Sequence, residues 1–174
     1  DGSSEILMTD FYNSSSSNPV FLGISPQHPN NYNGNGTYSA WVKPTTVDTT
    51  SRHIFSDNNY NEGRLFFLSD SIKATWHNGT VTYTNTIQTN SWYYVVMTHE
   101  KDDDNYRFKF NLYIDGVHIG QYDRSQTTYI YYGPDNSLVI GNSFIGKIDD
   151  VRIYNKVLTE EEILNNYNAS NYGR

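Results

Sequence analysis

A chain of 174 residues with no cysteine and 36% hydrophobic residues is long enough for one core burying about 70% of its unfolded surface, but cannot build a disulfide framework or a thiolate metal site. Its formal charge of -7, with Lys and Arg scattered and no basic run, lacks the cationic face that a phosphate backbone requires, so no nucleic-acid partner is expected. No apolar run reaches bilayer length, so no membrane insertion is expected either.

The 16 Tyr, 8 Phe and 3 Trp favour strands. The opening DGSSEILMTD has no initiator Met and no basic-plus-apolar signal region. The chain is therefore read as one domain, 1–174, excised from a larger protein. FYNSSSSNPV and SPQHPNNYNGNGT are loop-like, because Ser, Asn, Gly and Pro compete with or break ladders, and VFLGI between them is a short strand. N-X-Ser/Thr acceptors at Asn13, Asn35, Asn78 and Asn168 are about as many as chance gives in such a composition, and mark surface loops. TYSAWVKP is a strand stopped by Pro44, RHIF and GRLFFLS are two more, and IKATW and VTYTNTI form a hairpin with Asn78-Gly79 in the turn.

The clearest periodicity lies in residues 91–122. SWYYVVMTHE is a strand and EKDDDN a turn, and YRFKFNLYI places Phe108, Phe110, Leu112 and Ile114 on one face. Asp115-Gly116 closes a two-residue hairpin into VHIGQY, which sets Ile114 against Val117 and Leu112 against Ile119. A Tyr-rich loop, the strand LVIGN and the stretch FIGKIDDVRIY follow. A helix then starts at Thr159 as N-cap, with Glu162 completing a capping box, Leu158 and Ile163 as hydrophobic staple, and Ile163, Leu164 and Tyr167 as the buried stripe. Many short strands with frequent turns and one short C-terminal helix predict an all-β domain, a sandwich or barrel.

TYSAWVKP, SWYYVVMTHE, LYIDGVHIG, LVIGN and FIGKIDDVRIYNKVLTEEEI come in the order and spacing of laminin-G-like jelly rolls of the concanavalin A-like lectin and glucanase superfamily, which the chain resembles over residues 38–167. Pentraxins and the first half of the clostridial neurotoxin receptor-binding region are similar too. The resemblance implies a two-sheet antiparallel jelly-roll sandwich, often attached to larger extracellular proteins, that commonly binds glycans and frequently carries calcium.

Asp149 and Asp150 are the conspicuous carboxylates. Successive strand side chains leave on opposite faces, so the two cannot share a site unless a bulge intervenes. Glycoside hydrolysis needs two carboxyls facing one cleft. The E-x-D-x-x-E strand pattern of the superfamily's glucanases is absent, and no Ser/His/Asp elbow, phosphate-cradling Gly loop or Cys nucleophile appears, so no enzyme is expected. Asp149 shares its phase with Val151 and Ile153 and is placed on the core face, where it would accept backbone N–H bonds and fix a loop; Asp150 would pair with Arg152.

One Ca²⁺ held by Asp149 or Asp150 with carbonyls of the Asn-rich loop 30–36 is the other reading, although the acidic insertion that pentraxins carry before FIGK is missing. Asp102 to Asp104 form a second acidic cluster, read as a solvated hairpin tip. The five His, at 28, 53, 77, 99 and 118, lack zinc spacing.

Sugar sites pair exposed aromatics with Asn and Asp oxygens. Tyr129, Tyr131 and Tyr132 with Asp135 and Asn136 form one candidate, Asn58, Asn59 and Tyr60 a second, and Trp76 with His77 a third; in each, the aromatics could instead cover a core edge. Trp41 and Trp92 are read as core or sheet-packing residues. The expected function is a non-catalytic, lectin-like module of a secreted, cell-surface or virion protein whose partner is a glycan or glycoprotein. The alternative is a protein-binding adhesion or assembly module.

Overall fold

The computed structural model describes residues 5–8, 12–14, 20–22, 35–57, 63–76, 79–102, 107–125 and 138–174. Within them lie the strands β1 (Glu5–Met8), β2 (Tyr12–Ser14), β3 (Val20–Leu22), β4 (Gly36–Pro44), β5 (Arg52–Asp57), β6 (Arg64–Leu68) and β7 (Ser71–Trp76), then β8 (Gly79–Tyr83), β9 (Tyr93–Asp102), β10 (Arg107–Ile114), β11 (Val117–Ser125), β12 (Leu138–Ile140) and β13 (Gly146–Tyr154). The helix α1 (Glu160–Ser170) follows. A 7-stranded sheet runs β1-β13-β4-β9-β10-β11 with β2 also on β13, and a 6-stranded sheet runs β3-β12-β5-β6-β7-β8. The pairings are antiparallel. The result is the jelly-roll sandwich that the sequence predicts.

Alternation builds the core. Tyr38, Ala40 and Val42 of β4, Tyr93, Val95 and Met97 of β9, and Phe108, Phe110, Leu112 and Ile114 of β10 turn inward and meet Phe55, Leu65, Phe67, Ile72 and Ala74 of the other sheet. The alternate residues of the same strands, Trp41, Tyr94, Val96 and Tyr113, turn outward and form a second buried cluster with Leu158 and Ile163. That cluster is the floor on which α1 lies.

The chain enters α1 through two devices. Thr37 Oγ1 donates to the Lys156 carbonyl at 2.8 Å and accepts the Leu158 N–H at 3.0 Å, tying the linker to β4. Thr159 and Glu162 then form the expected capping box. Of the predicted stripe, Ile163 is buried and Tyr167 packs on the outer cluster, but Leu164 is 45% exposed.

Several predicted boundaries shift. β2 occupies a stretch read as loop and β1 one assigned no element; both pair with β13. Trp76 pairs with Gly79, so Gly79 belongs to β8 rather than to the turn. In the β10–β11 hairpin Ile114 opposes Val117 as expected, but a bulge after Leu112 moves its partner from Ile119 to Gly120.

Candidate functional site

The carboxylate pair sits at a second bulge. Asp149 pairs with Trp41 and Arg152 with Ser39, so three steps on β13 match two on β4. Asp150 absorbs the extra residue with φ 50°, in the left-handed region. Ile148 and Val151 therefore both reach the core, and Asp149, cross-strand from outward Trp41, turns to the outer face instead of sharing the phase of Val151 and Ile153. This corrects the expected core-side placement of Asp149.

Each carboxylate is then met by a guanidinium. Asp149 Oδ1 accepts the Asp150 N–H at 2.8 Å, and its Oδ2 lies 2.8 Å from Arg174 Nη1. Asp150 accepts Arg152 through both oxygens, at 2.9 and 3.2 Å. Both acids are buried, a state that requires such partners. Calcium asks for six to eight oxygens and no neighbouring cation. Two carboxylates already engaged by two arginines do not fit it, and among the described residues no three His, Asp or Glu side chains gather around one point. Residues 30–34, whose carbonyls the calcium reading also invokes, and residues 103 and 104 of the second acidic cluster lie outside the described residues.

Beside this network opens a cleft of about 360 Å³, lined by Trp41, Lys43, Asn90, Ser91, Trp92, Asp115, Tyr167, Asn171 and Arg174. Four elements position it. The outward phase of β4 supplies Trp41 and Lys43, and Trp41 is fixed by Nε1 donating to Ser170 Oγ at 2.8 Å. The turn before β9 is held by Asn90 N–H donating to the Pro44 carbonyl at 2.7 Å, which presents Trp92 half-buried at the rim. The β10–β11 turn supplies Asp115, whose Oδ1 accepts the Tyr94 N–H at 2.8 Å. Burial lifts the Asp115 carboxyl above its ordinary range, and that N–H opposes the rise. The end of α1 supplies the far wall, and the Arg174 guanidinium lies 4.9 Å from the Trp41 ring centroid and 5.2 Å from that of Trp92. Lys43 Nζ stands 5.9 Å from the Trp92 ring.

Of the ligand-binding residues singled out in the sequence, only Trp76 is among the described residues, and it lies away from this cleft. Trp76 is 7% exposed and packs between the sheets against His99 at 4.7 Å and Phe108 at 4.9 Å, so its ring has no face for a ligand. Asn58, Asn59, Tyr60, His77, Tyr129, Tyr131, Tyr132, Asp135 and Asn136 lie outside the described residues. Trp41 is buried as expected. Trp92 packs against the outer cluster, as its sheet-packing assignment expects, and it also lines the cleft. The signal for it was its phase: Trp92, Tyr94 and Val96 are all outward and apolar, which marks a covered face whose rim residue stays open.

The sequence matches, over residues 14–164, a laminin-G-type profile described as the concanavalin A-like lectin/glucanases superfamily. The chain belongs to this superfamily. The match begins well before Tyr38, so it takes in the N-terminal region where the sequence by itself showed little resemblance. A comparison with curated protein sequences finds no match.

Among solved structures, this concanavalin A-like domain is similar to the CBM40 of the Ruminococcus gnavus IT-sialidase bound to α2,3-sialyllactose, with 15% identity and TM-score 0.68 over 93% of this chain and 98% of that one. It is also similar to botulinum neurotoxin type C, in a study of its interaction with two ganglioside molecules, with 15% identity and TM-score 0.64 over 96% of this chain and 46% of that one. A third is domain 4 of an extracellular arabinanase from Geobacillus stearothermophilus in complex with arabinotriose, with 20% identity and TM-score 0.52 over 75% and 65%. The domain thus spans nearly all of the first, less than half of the second and just under two thirds of the third. At these identities the likeness is one of fold. Among the described residues no helix is long and apolar enough to cross a membrane.

Proposed function

We propose that this chain is a non-catalytic carbohydrate-binding module of a secreted, cell-surface or virion protein, and that it takes a glycan or glycoprotein in the cleft at the end of α1. The observation that carries this is the half-buried indole of Trp92 set beside Lys43, Asn90, Asn171 and Asp115 in one hollow of about 360 Å³. A sugar ring presents an apolar C–H face and a rim of hydroxyls; the indole suits the first and the amides, ammonium and carboxylate suit the second. The volume falls at the small end of ligand sites, which fits a terminal sugar better than a long chain. The glycan-bound states of the similar sialidase and arabinanase domains support the ligand class, and the arabinanase, named as extracellular, supports an extracellular setting.

The assignment as non-catalytic rests on the carboxylates. Hydrolysis of a glycosidic bond needs one carboxyl free to donate a proton and another free to act as base or nucleophile. Asp149 and Asp150 instead face Arg174 and Arg152.

A glycan array probed with and without EDTA tests the proposal. Binding to a defined set of glycans is expected in both conditions, and Trp92→Ala is expected to weaken it at least about tenfold, the scale of a lost aromatic stacking contact. If no glycan is bound and a specific protein is captured instead, the domain is an adhesion or assembly module.

A further inference from the structure

The two cations that line the cleft are balanced in number by two carboxylates, Asp115 on its lining and Asp149 behind it. Of its two lining cations, Arg174 is the one laid across both indoles, and Asp149 answers its charge at 2.8 Å from the buried side. Arg174 Nε is also committed, donating to the Ser170 carbonyl at 3.0 Å. The other cation, Lys43, shares the cleft with the Asp115 carboxylate. The chain as a whole carries -7.

We propose that this cleft selects uncharged saccharides over acidic ones, and that Asp149 sets the preference by neutralising Arg174. The inference rests on the carbohydrate reading given above. A sugar carboxylate approaching Arg174 meets the attraction of the guanidinium and the repulsion of Asp149 from nearly the same place, so little net attraction is left. Nor can the incoming acid displace Asp149, because that carboxylate is buried and would keep only the Asp150 N–H as a partner. A neutral sugar needs neither event: it asks for apolar contact and hydrogen-bond partners, and the cleft lining includes the half-buried Trp92 with Asn90, Ser91 and Asn171.

The test is an array carrying neutral glycans alongside their sialylated counterparts, probed with the wild-type chain, Asp149→Asn and Arg174→Gln. Wild type is expected to bind neutral members. Asp149→Asn exposes the Arg174 charge and should raise binding of sialylated members relative to neutral ones by roughly tenfold, the weight of one charge-assisted contact, whereas Arg174→Gln should not. Wild type preferring sialylated members, or a folded Asp149→Asn protein with an unchanged ratio, overturns the inference and leaves the carbohydrate reading standing. An array with no bound glycan removes both. Should Asp149→Asn fail to fold, the salt dependence of wild-type binding decides: affinity that is flat with ionic strength agrees with a neutralised cleft, and affinity that falls steeply with salt contradicts it.

Discussion

A carboxylate held at 6% exposure costs several kcal/mol unless a cation or several donors meet it, and Asp149 is met by Arg174 and the Asp150 N–H. Removing one charge of such a pair strands the other. Asp149→Asn and Asp150→Asn should therefore each lower unfolding free energy by about 2–4 kcal/mol, as read by urea denaturation. Because the partners are arginines, the loss should be the same in calcium and in EDTA; a loss seen only with calcium present would mean that a metal ion, not a guanidinium, is the true counter-charge. The two tryptophans of the cleft separate in the same way. Trp41 is 2% exposed and donates to Ser170, so Trp41→Ala should cost about 3–5 kcal/mol. Trp92→Ala, at the half-buried rim, should cost markedly less while losing ligand. Equal destabilisation of the two would show that Trp92 serves packing alone.

Elements with strong local periodicity or a fixed sequence signature could be read directly. The period-2 face of β10, the Asp115-Gly116 turn and the Thr159 capping box all appear where the sequence places them. β1 and β2 could not be read, since strands of 4 and 3 residues carry no period and are defined by the β13 edge they cover. The bulge at Asp150 left no local mark either: it is set by the register against β4, which joins residues about a hundred positions apart. Two substitutions probe how the elements are held. Thr159→Ala removes a side chain that accepts the Glu162 N–H at 3.2 Å and should cost about 1 kcal/mol without changing the fold. Gly146→Ala should cost more than about 2 kcal/mol, because Gly146 sits at φ 152° and a β-carbon there would strike the Lys43 carbonyl and Pro44 Cα. Thermal melts of the two variants rank them, and a neutral Gly146→Ala would contradict the close pairing of β13 with β4.

At the scale of the whole molecule, the sandwich was legible and the cleft was not. Two facing sheets follow from alternation, which the longer strands such as β9 and β10 state for themselves. The cleft is assembled from Lys43, the 90–92 turn, Asp115 and the end of α1, segments with no shared local pattern, so only the completed fold brings them together. The same distinction governs the response to acid. His53 is 6% exposed, its ring stacked 5.2 Å from Phe66, and burial, helped by the charge of Arg64, lowers its pKa from 6.5 to about 4. Folding therefore favours the neutral ring. Above about pH 6.5 both folded and unfolded chains carry it neutral and His53 leaves stability independent of pH. Between about pH 6.5 and 4 the unfolded chain takes up a proton that the folded one refuses, so stability falls as pH drops, reaching a deficit of about 3 kcal/mol below the folded pKa. Urea midpoints followed from pH 7.5 to 4 should show this decline, and His53→Phe, which keeps a ring against Phe66 but cannot titrate, should remove its upper part between about pH 6.5 and 5. An identical decline in both proteins would assign the acid sensitivity to carboxylates and show that the His53 ring is reached by water.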